Sequence, residues 1–323
     1  MLGKRWIRLY NEDCIEGAKR HIKDESVDLI LTDPPYGIKG DSLDKHYNRD
    51  EKHVLSGYIE ISADEYPEFS SNWIEQAERV LRPGGSIYII SGYTNLIHIL
   101  NALNNTSLQE INHIIWKYNF GVYTKNKYIS SHYHILYYQK PGGRRTFNQF
   151  TRFGAEESNN GKSKNYADRE DVWVINREYK KAQTKNKNQL PSELLQKIIL
   201  YSSNQGDSVC DFFLGGFGSA KTAVKLGRRA IGFEKSKIAY DQNIREMEKI
   251  KFGELLNALA EPDNNTPLNS GKRWSNEDIA QLLGKYDELI GKQSSKGKAI
   301  QILSKEFGRG RFGVLNVLKK RGR

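Results

Sequence analysis

Two short runs of this chain are apolar at nearly every residue, Val27-Asp28-Leu29-Ile30-Leu31 and Ser86-Ile87-Tyr88-Ile89-Ile90. Successive side chains of a strand point to opposite faces, so runs of this kind need apolar cover on both sides. That points away from a sheet with one face in water and toward a mostly parallel sheet with helices on both faces. Strands are expected at Trp6–Tyr10, Val27–Thr32, Ser86–Ser91, His113–Lys117, Tyr133–Gln139, Ser208–Phe213 and Ala230–Glu234. Helical stretches at about 14–22, 70–82, 94–104, 192–203, 218–227 and 236–256 alternate with them, and Arg82-Pro83-Gly84-Gly85 reads as the stop signal of the second.

The 323 residues suffice for one large α/β domain with a small appendage. Lys and Arg total 50 against 39 acidic residues, a net charge of +11 that favours a polyanionic partner. Cys14 and Cys210 are too few for a disulfide framework or a cysteine-rich zinc site, and no metal is expected. No apolar stretch follows Lys4 and Arg5, and no run is long enough to span a bilayer, so the expectation is a cytoplasmic protein without a membrane partner.

Two stretches break the alternation. Residues 37–66 form a polar loop, and residues 141–190 are rich in Lys, Arg, Asn, Gly and Gln with scattered aromatics. A catalytic domain is therefore expected over 1–260, with an insert at about 141–185, a linker over 261–271, and a small basic helical domain over 272–323. Helices in the last part are expected at 275–290, 296–307 and 311–320, with Ser275 as an N-cap.

Chemistry concentrates in two places. Asp33-Pro34-Pro35-Tyr36 follows the buried strand Val27–Thr32, at the carboxyl end where open α/β sheets bind ligands. The prolines rigidify the turn. An aromatic amine is a poor nucleophile because its lone pair is delocalised into the ring. Acceptors on both of its N–H bonds, here the Asp33 carboxylate and the Pro34 carbonyl, would free that lone pair while Tyr36 stacks on the base. The alternative is a capped, rigid strand-ending turn. The second place is Ser208-Val209-Cys210-Asp211-Phe212-Phe213-Leu214-Gly215-Gly216-Phe217-Gly218-Ser219, then a helix, then Arg229-Ala230-Ile231-Gly232-Phe233-Glu234. A glycine turn followed about 20 residues later by an acid suits a ribose-bearing cofactor, or else a plain strand–helix turn.

Together the two motifs resemble the amino-group (adenine-N6 and cytosine-N4) DNA methyltransferases, in the β order that puts the catalytic motif before the cofactor motif. The resemblance covers about residues 5–250. It implies a Rossmann-like, permuted α/β methyltransferase with a mixed, mostly parallel seven-stranded sheet, and transfer of a methyl group from S-adenosylmethionine to a flipped-out base in double-stranded DNA. It assigns Asp33, Pro34, Pro35 and Tyr36 to catalysis. It assigns Asp13, Cys14, Asp33, Asp211, Phe213, Gly215, Gly216, Phe217 and Glu234 to the cofactor. Asp at the first motif position usually accompanies adenine N6, and Ser accompanies cytosine N4. Where the family usually has His-Pro-Thr-Gln-Lys-Pro, this chain has Asn188-Gln189-Leu190-Pro191. Where it has Asp-Pro-Phe-x-Gly-Ser-Gly-Thr, Phe217 replaces the second glycine of the pattern. A homodimer and a cognate restriction endonuclease are partners the resemblance allows. It places target recognition in the insert, where Arg144, Arg145, Arg152, Lys162, Lys164 and Arg169 cluster. The three C-terminal helices loosely resemble Myb-like helix-turn-helix modules.

Overall fold

The structure, a computed structural model, describes residues 6–37, 61–119, 121, 123–178, 190–256, 267, 269 and 272–323. The expected polar loop at 37–66 therefore lies largely outside the described residues, as do Gln189 and most of the linker.

The described contacts divide the chain into two compact units, and the division does not follow sequence order. One unit comprises Met1–Asn148 and Asp171–Leu259; the other comprises Gln149–Glu170 and Ala260–Arg323.

The larger unit is a wound α/β sheet. Its strands are β1 (Ile7–Tyr10), β2 (Val27–Thr32), β3 (Leu81–Ser91), β4 (Gln109–Lys117), β5 (His132–Gln139), β6 (Val172–Val174), β7 (Ser208–Asp211) and β8 (Arg229–Phe233). Its helices are α1 (Cys14–His21), α2 (Tyr66–Val80), α3 (Leu96–Asn104), α4 (Ser192–Ser202), α5 (Gly218–Lys225) and α6 (Lys237–Met247). The sheet order is β1-β8-β7-β2-β3-β5-β4-β6. The expected seven strands are all present, and the three-residue β6 adds an eighth at the edge, parallel to β4. Within this sheet, only the pairings of β5 with β3 and β4 are antiparallel.

Alternation along the strands explains the unbroken apolar runs. Ile30, Ile87 and Ile89 belong to a core with Trp73, Ala77 and Ile99 of α2 and α3, and Val27 joins them across a register shift. Leu29, Leu31, Tyr88 and Ile90 belong to a second core with Leu194, Leu195 and Ile198 of α4. Both faces are covered, as a mostly parallel sheet requires.

The stop signal at Arg82–Gly85 is corrected. Helix α2 starts earlier than expected, at Tyr66 with a proline in its first turn, and ends at Val80. Arg82-Pro83-Gly84-Gly85 lies within β3, where the register with β2 shifts between Val27 and Leu29. Gly84 has φ of 75°, and a Cβ there would press on the Arg144 backbone, so the glycines shape an irregularity in the strand.

In the smaller unit, α7 (Asn276–Gly291), α8 (Lys296–Glu306) and α9 (Arg311–Lys320) enclose Leu282, Tyr286, Ala299, Ile300, Leu303, Val314 and Leu318. Ser275 caps α7 by accepting from the Asp278 N–H at 3.0 Å. Arg309 is buried against the Trp274 ring, 4.7 Å from its centroid, and donates to the Asn269, Lys272 and Arg273 carbonyls. Residues 149–170 contribute a two-stranded hairpin, Ser158–Asn159 with Lys162–Ser163, and a one-turn helix, Lys164–Asp168.

Candidate active site

After β2 the chain leads to β3 on one side, whereas after β7 it leads to β8 on the other, so the crevice between β2 and β7 is a topological switch point. Both motifs leave the sheet there. Thr32 Oγ1 donates to Asp211 Oδ1 at 2.8 Å and ties the two strand ends together.

The Asp33–Gly37 turn is held from outside. Tyr66 of α2 donates its hydroxyl to the Pro35 carbonyl at 2.7 Å, and the Asn95 amide donates to the Tyr36 and Gly37 carbonyls. Gly37 takes φ of 62° against the Tyr66 ring, and a Cβ there would lie 2.4 Å from that ring. Of the carbonyls of residues 34–37, that of Pro34 alone has no donor among the described residues. The Asp33 carboxylate accepts from the Tyr36 hydroxyl at 2.7 Å through Oδ1. Burial, reinforced by the nearby Asp211, pushes its pKa up from the usual carboxylate value to about 7, against the opposing pull of the Tyr36 bond and Arg177.

Next to this turn lies an aromatic platform that motif reading missed. Tyr36 stacks on Tyr133 of β5 with centroids 5.7 Å apart, and Tyr133 stacks on Trp116 of β4 at 5.5 Å. Arg177 covers Tyr118 at 4.7 Å and Tyr133 at 5.3 Å, and donates to the Tyr133 hydroxyl at 3.0 Å. Four separate segments supply these groups, so no local spacing marks them. The β-rich aromatic composition of the β4 and β5 runs was the sole available signal.

The second motif separates into different jobs. Asp211 is buried and already satisfied, accepting from Thr32, from the Phe213 N–H at 3.0 Å and from the Ser219 hydroxyl. Phe217 is fully buried in the core beside Val224 and Met247, so its ring is a packing group. Its backbone holds the left-handed conformation, φ of 60°, at the N-cap of α5. The departure from the glycine pattern thus leaves the turn geometry in place and moves the strain onto a side chain that the core retains.

Gly215, in contrast, is exposed with φ of 49°, and a Cβ would meet nothing within 4 Å. Its N–H donates to Glu234 Oε2 at 2.8 Å, and Ser236 donates its N–H to Oε1 at 2.7 Å. Phe213 stands half-buried, its ring edge-on to Trp73 at 5.4 Å. Asp13 caps α1 by accepting from the Ile15 N–H at 2.9 Å and pairs with Lys235 at 3.4 Å. Cys14 is buried in the core, and burial raises its thiol pKa well above normal, which suits packing and not nucleophilic work. Asn11 donates to the Glu234 carbonyl at 2.7 Å and closes the end of β8. An exposed glycine turn, a carboxylate at a strand end, a half-buried ring and a neighbouring acid form a donor set that fits a nucleoside-bearing, positively charged cofactor. Among the described residues no group of His, Cys, Asp and Glu could hold a metal ion, and no helix is long and apolar enough to cross a membrane.

Comparisons with known proteins give the chain a family and its fold relatives. A family model described as DNA methylase matches residues 27–245. The chain is 31% identical over 297 residues to the type II methyltransferase M.BamHI of Bacillus amyloliquefaciens, covering 85% of this chain and 66% of that protein. It is 30% identical over 257 residues to M.HinfI of Haemophilus influenzae, covering 74% and 67%. The chain thus spans about two thirds of the length of these relatives. Among solved structures, the putative DNA modification methylase TTHA0409 of Thermus thermophilus, in complex with S-adenosyl-L-methionine, superposes with a TM-score of 0.56 at 21% identity over 75% of this chain and 94% of that one. The cytosine-N4-specific PvuII DNA methyltransferase gives 0.55 at 13% identity, covering 80% and 94%.

Proposed function

We propose, for a chain that belongs to the DNA methylase family, that it methylates the N6 amino group of adenine in duplex DNA, with S-adenosylmethionine as methyl donor. The observation that carries the reading is the pair of open acceptors at Asp33 and Pro34, beside a stacking surface at Tyr36.

S-adenosylmethionine supplies an electrophilic methyl group on a positively charged sulfur. Glu234 and the exposed turn at Gly215 are suited to its ribose, Asp13 and Asn11 to the adenine side, and Phe213 to the wall of the pocket. The target base must leave the duplex to reach this crevice, a step that unstacks it for a few kcal/mol. Tyr36, backed by Tyr133 and Trp116, offers a replacement stack. The Asp33 carboxylate and the Pro34 carbonyl then accept the two amine N–H bonds and draw the nitrogen lone pair out of the ring plane. A nitrogen–carbon bond forms as the carbon–sulfur bond breaks, and the proton shed by the methylated nitrogen passes to Asp33 or to solvent. Alignment supplies most of the acceleration.

Asp33 at the first motif position favours adenine over cytosine. The test is transfer of labelled methyl groups into mixed-sequence duplex DNA, followed by identification of the methylated nucleoside by mass. N6-methyladenine supports the proposal. N4-methylcytosine would retain the mechanism and overturn the base, and absence of label in DNA despite cofactor binding would overturn the substrate.

A further inference from the structure

Residues 149–170 and the C-terminal helices differ sharply in how their positive charge is balanced. Residues 149–170 carry four basic residues, Arg152, Lys162, Lys164 and Arg169, against Glu156, Glu157, Asp168 and Glu170. Three of the four basic groups are engaged within the segment: Arg152 pairs with Asp168 at 3.5 Å, Lys164 with Glu157 at 3.7 Å, and Arg169 donates to the Asn165 carbonyl at 3.3 Å. Residues 292–323, in contrast, hold ten basic residues against the single acid Glu306. Lys296, Lys298, Lys319, Lys320 and Arg321 are exposed and have no ion pair among the described residues.

The arrangement of that charge is specific. Helix α8 packs against both α7 and α9, and a four-residue turn, Phe307-Gly308-Arg309-Gly310, joins α8 to α9. Gly308 takes φ of 57° and the buried Arg309 pins the turn, which together give a helix-turn-helix. Val314 and Leu318 face the core, whereas Asn316, Lys319 and Lys320 are exposed. Gly313, one turn before Asn316 and Val317, has open space around its Cβ position. The outer face of α9 is therefore open at Gly313, polar at Asn316 and basic at its end. It lacks the apolar stripe a membrane-surface helix needs.

The same helix is clamped by the insert. Its N-cap is Gly310, which has no side chain to satisfy the first N–H groups. Glu156 does so instead, accepting from the Arg311 N–H at 2.7 Å, while Arg311 Nη1 donates to Ser158 Oγ at 3.2 Å. A Cβ at residue 310 would lie 2.4 Å from the Glu156 carboxylate, so glycine makes room for a cap delivered from 154 residues earlier in the chain.

From the charge placement and this clamp we infer that α9 is a groove-reading helix for duplex DNA, and that residues 149–170 and the C-terminal helices act as one reading head. Lys319 and Lys320 grip phosphates, Asn316 meets base edges, and Glu156 is a positioning residue that fixes the start of α9. The inference rests on the proposed DNA substrate but concerns binding alone.

The test uses the full chain and a fluorescent duplex of mixed sequence, with methyl transfer measured alongside. Lys319→Ala/Lys320→Ala weakens duplex binding about tenfold at moderate salt and flattens the log–log salt dependence by about 2, since each lost phosphate contact removes about 0.9 from the slope. Methyl transfer at subsaturating duplex falls by about the same factor. The equal charge loss Lys249→Ala/Lys251→Ala, on exposed residues of the other unit, leaves affinity near the parent value. Glu156→Ala gives the sharpest sign. Removing an acid should tighten binding to a polyanion, whereas loss of the clamp weakens it severalfold, and Glu156→Asp restores part of it. Parental affinity and salt slope in the double lysine variant would overturn the groove-reading role, and tighter binding by Glu156→Ala would overturn the clamp. Duplex binding that depends on α9 in a protein that methylates no DNA would refute the proposed function and keep this inference. DNA methylation indifferent to α9 would do the reverse.

Discussion

The turns that follow β2 and β7 leave adjacent parallel strands at the same edge of the sheet, and each carries an aspartate whose proton affinity burial has raised. Their surroundings differ in one decisive respect. Around Asp33 the neighbours hold the backbone, through Tyr66 and Asn95, and Tyr36 engages one carboxylate oxygen, so that among the described residues the other oxygen and the Pro34 carbonyl have no donor. Around Asp211 the neighbours consume the carboxylate itself, through Thr32, Phe213 and Ser219. A shifted pKa is therefore no guide to which acid does chemistry here; the count of free lone pairs is. Among the described residues Asp33 keeps an acceptor free for a ligand, whereas Asp211 ties the two strand ends together.

This contrast can be broken by substitution. Asp33→Ala should lower the single-turnover rate by about 10²–10⁴, the range for a positioned proton acceptor, while S-adenosylmethionine affinity measured by calorimetry stays within about twofold. Asp211→Ala should act the other way. Orphaning three donors costs about 3 kcal/mol or more of stability in a denaturant titration, and cofactor affinity falls as the turn loosens. Phe217→Gly weighs two effects on the second turn. Relief of a left-handed side chain gains about 1 kcal/mol, whereas deletion of a buried ring loses about 3–5, so the variant should be destabilised by about 2–4 kcal/mol. Tyr66→Phe removes one clamp bond from the first turn, which should cost about 1 kcal/mol of stability and lower kcat about tenfold without touching cofactor affinity.

The parts of the fold that could be read in advance are those set by local pattern. Val27–Thr32 reads correctly at both ends because it is short, apolar on both faces and bounded by Asp33-Pro34. Helices α8 and α9 also start where expected, at Lys296 and Arg311. Arg82–Gly85 misleads because the Pro-Gly-Gly signal is the same for a helix stop and for a strand irregularity, and the pairing with β2 decides between them. The site divides likewise. Asp33, Pro34, Tyr36 and Glu234 stand out as motif residues, but Tyr133 and Arg177 acquire meaning through the sheet register that carries Tyr133 to Tyr36. Glu156 and Gly310 are a pair that no local window contains.

The most direct measurement is the pH dependence of single-turnover methyl transfer for the parent and Asp33→Asn. The acceptor role needs the carboxylate, and the folded protein holds its proton up to about 7. The parent rate should therefore rise with pH to a midpoint near 7 and then level. The same shift means that ionising Asp33 lowers folding stability as pH climbs from about 4 to 7, because the unfolded chain gives up that proton first. Asp33→Asn should accordingly be no less stable than the parent at pH 8, yet slow at every pH, with the limb near 7 gone. A variant that retains both the parental rate and the limb near 7 would contradict the assignment of Asp33 as the open acceptor.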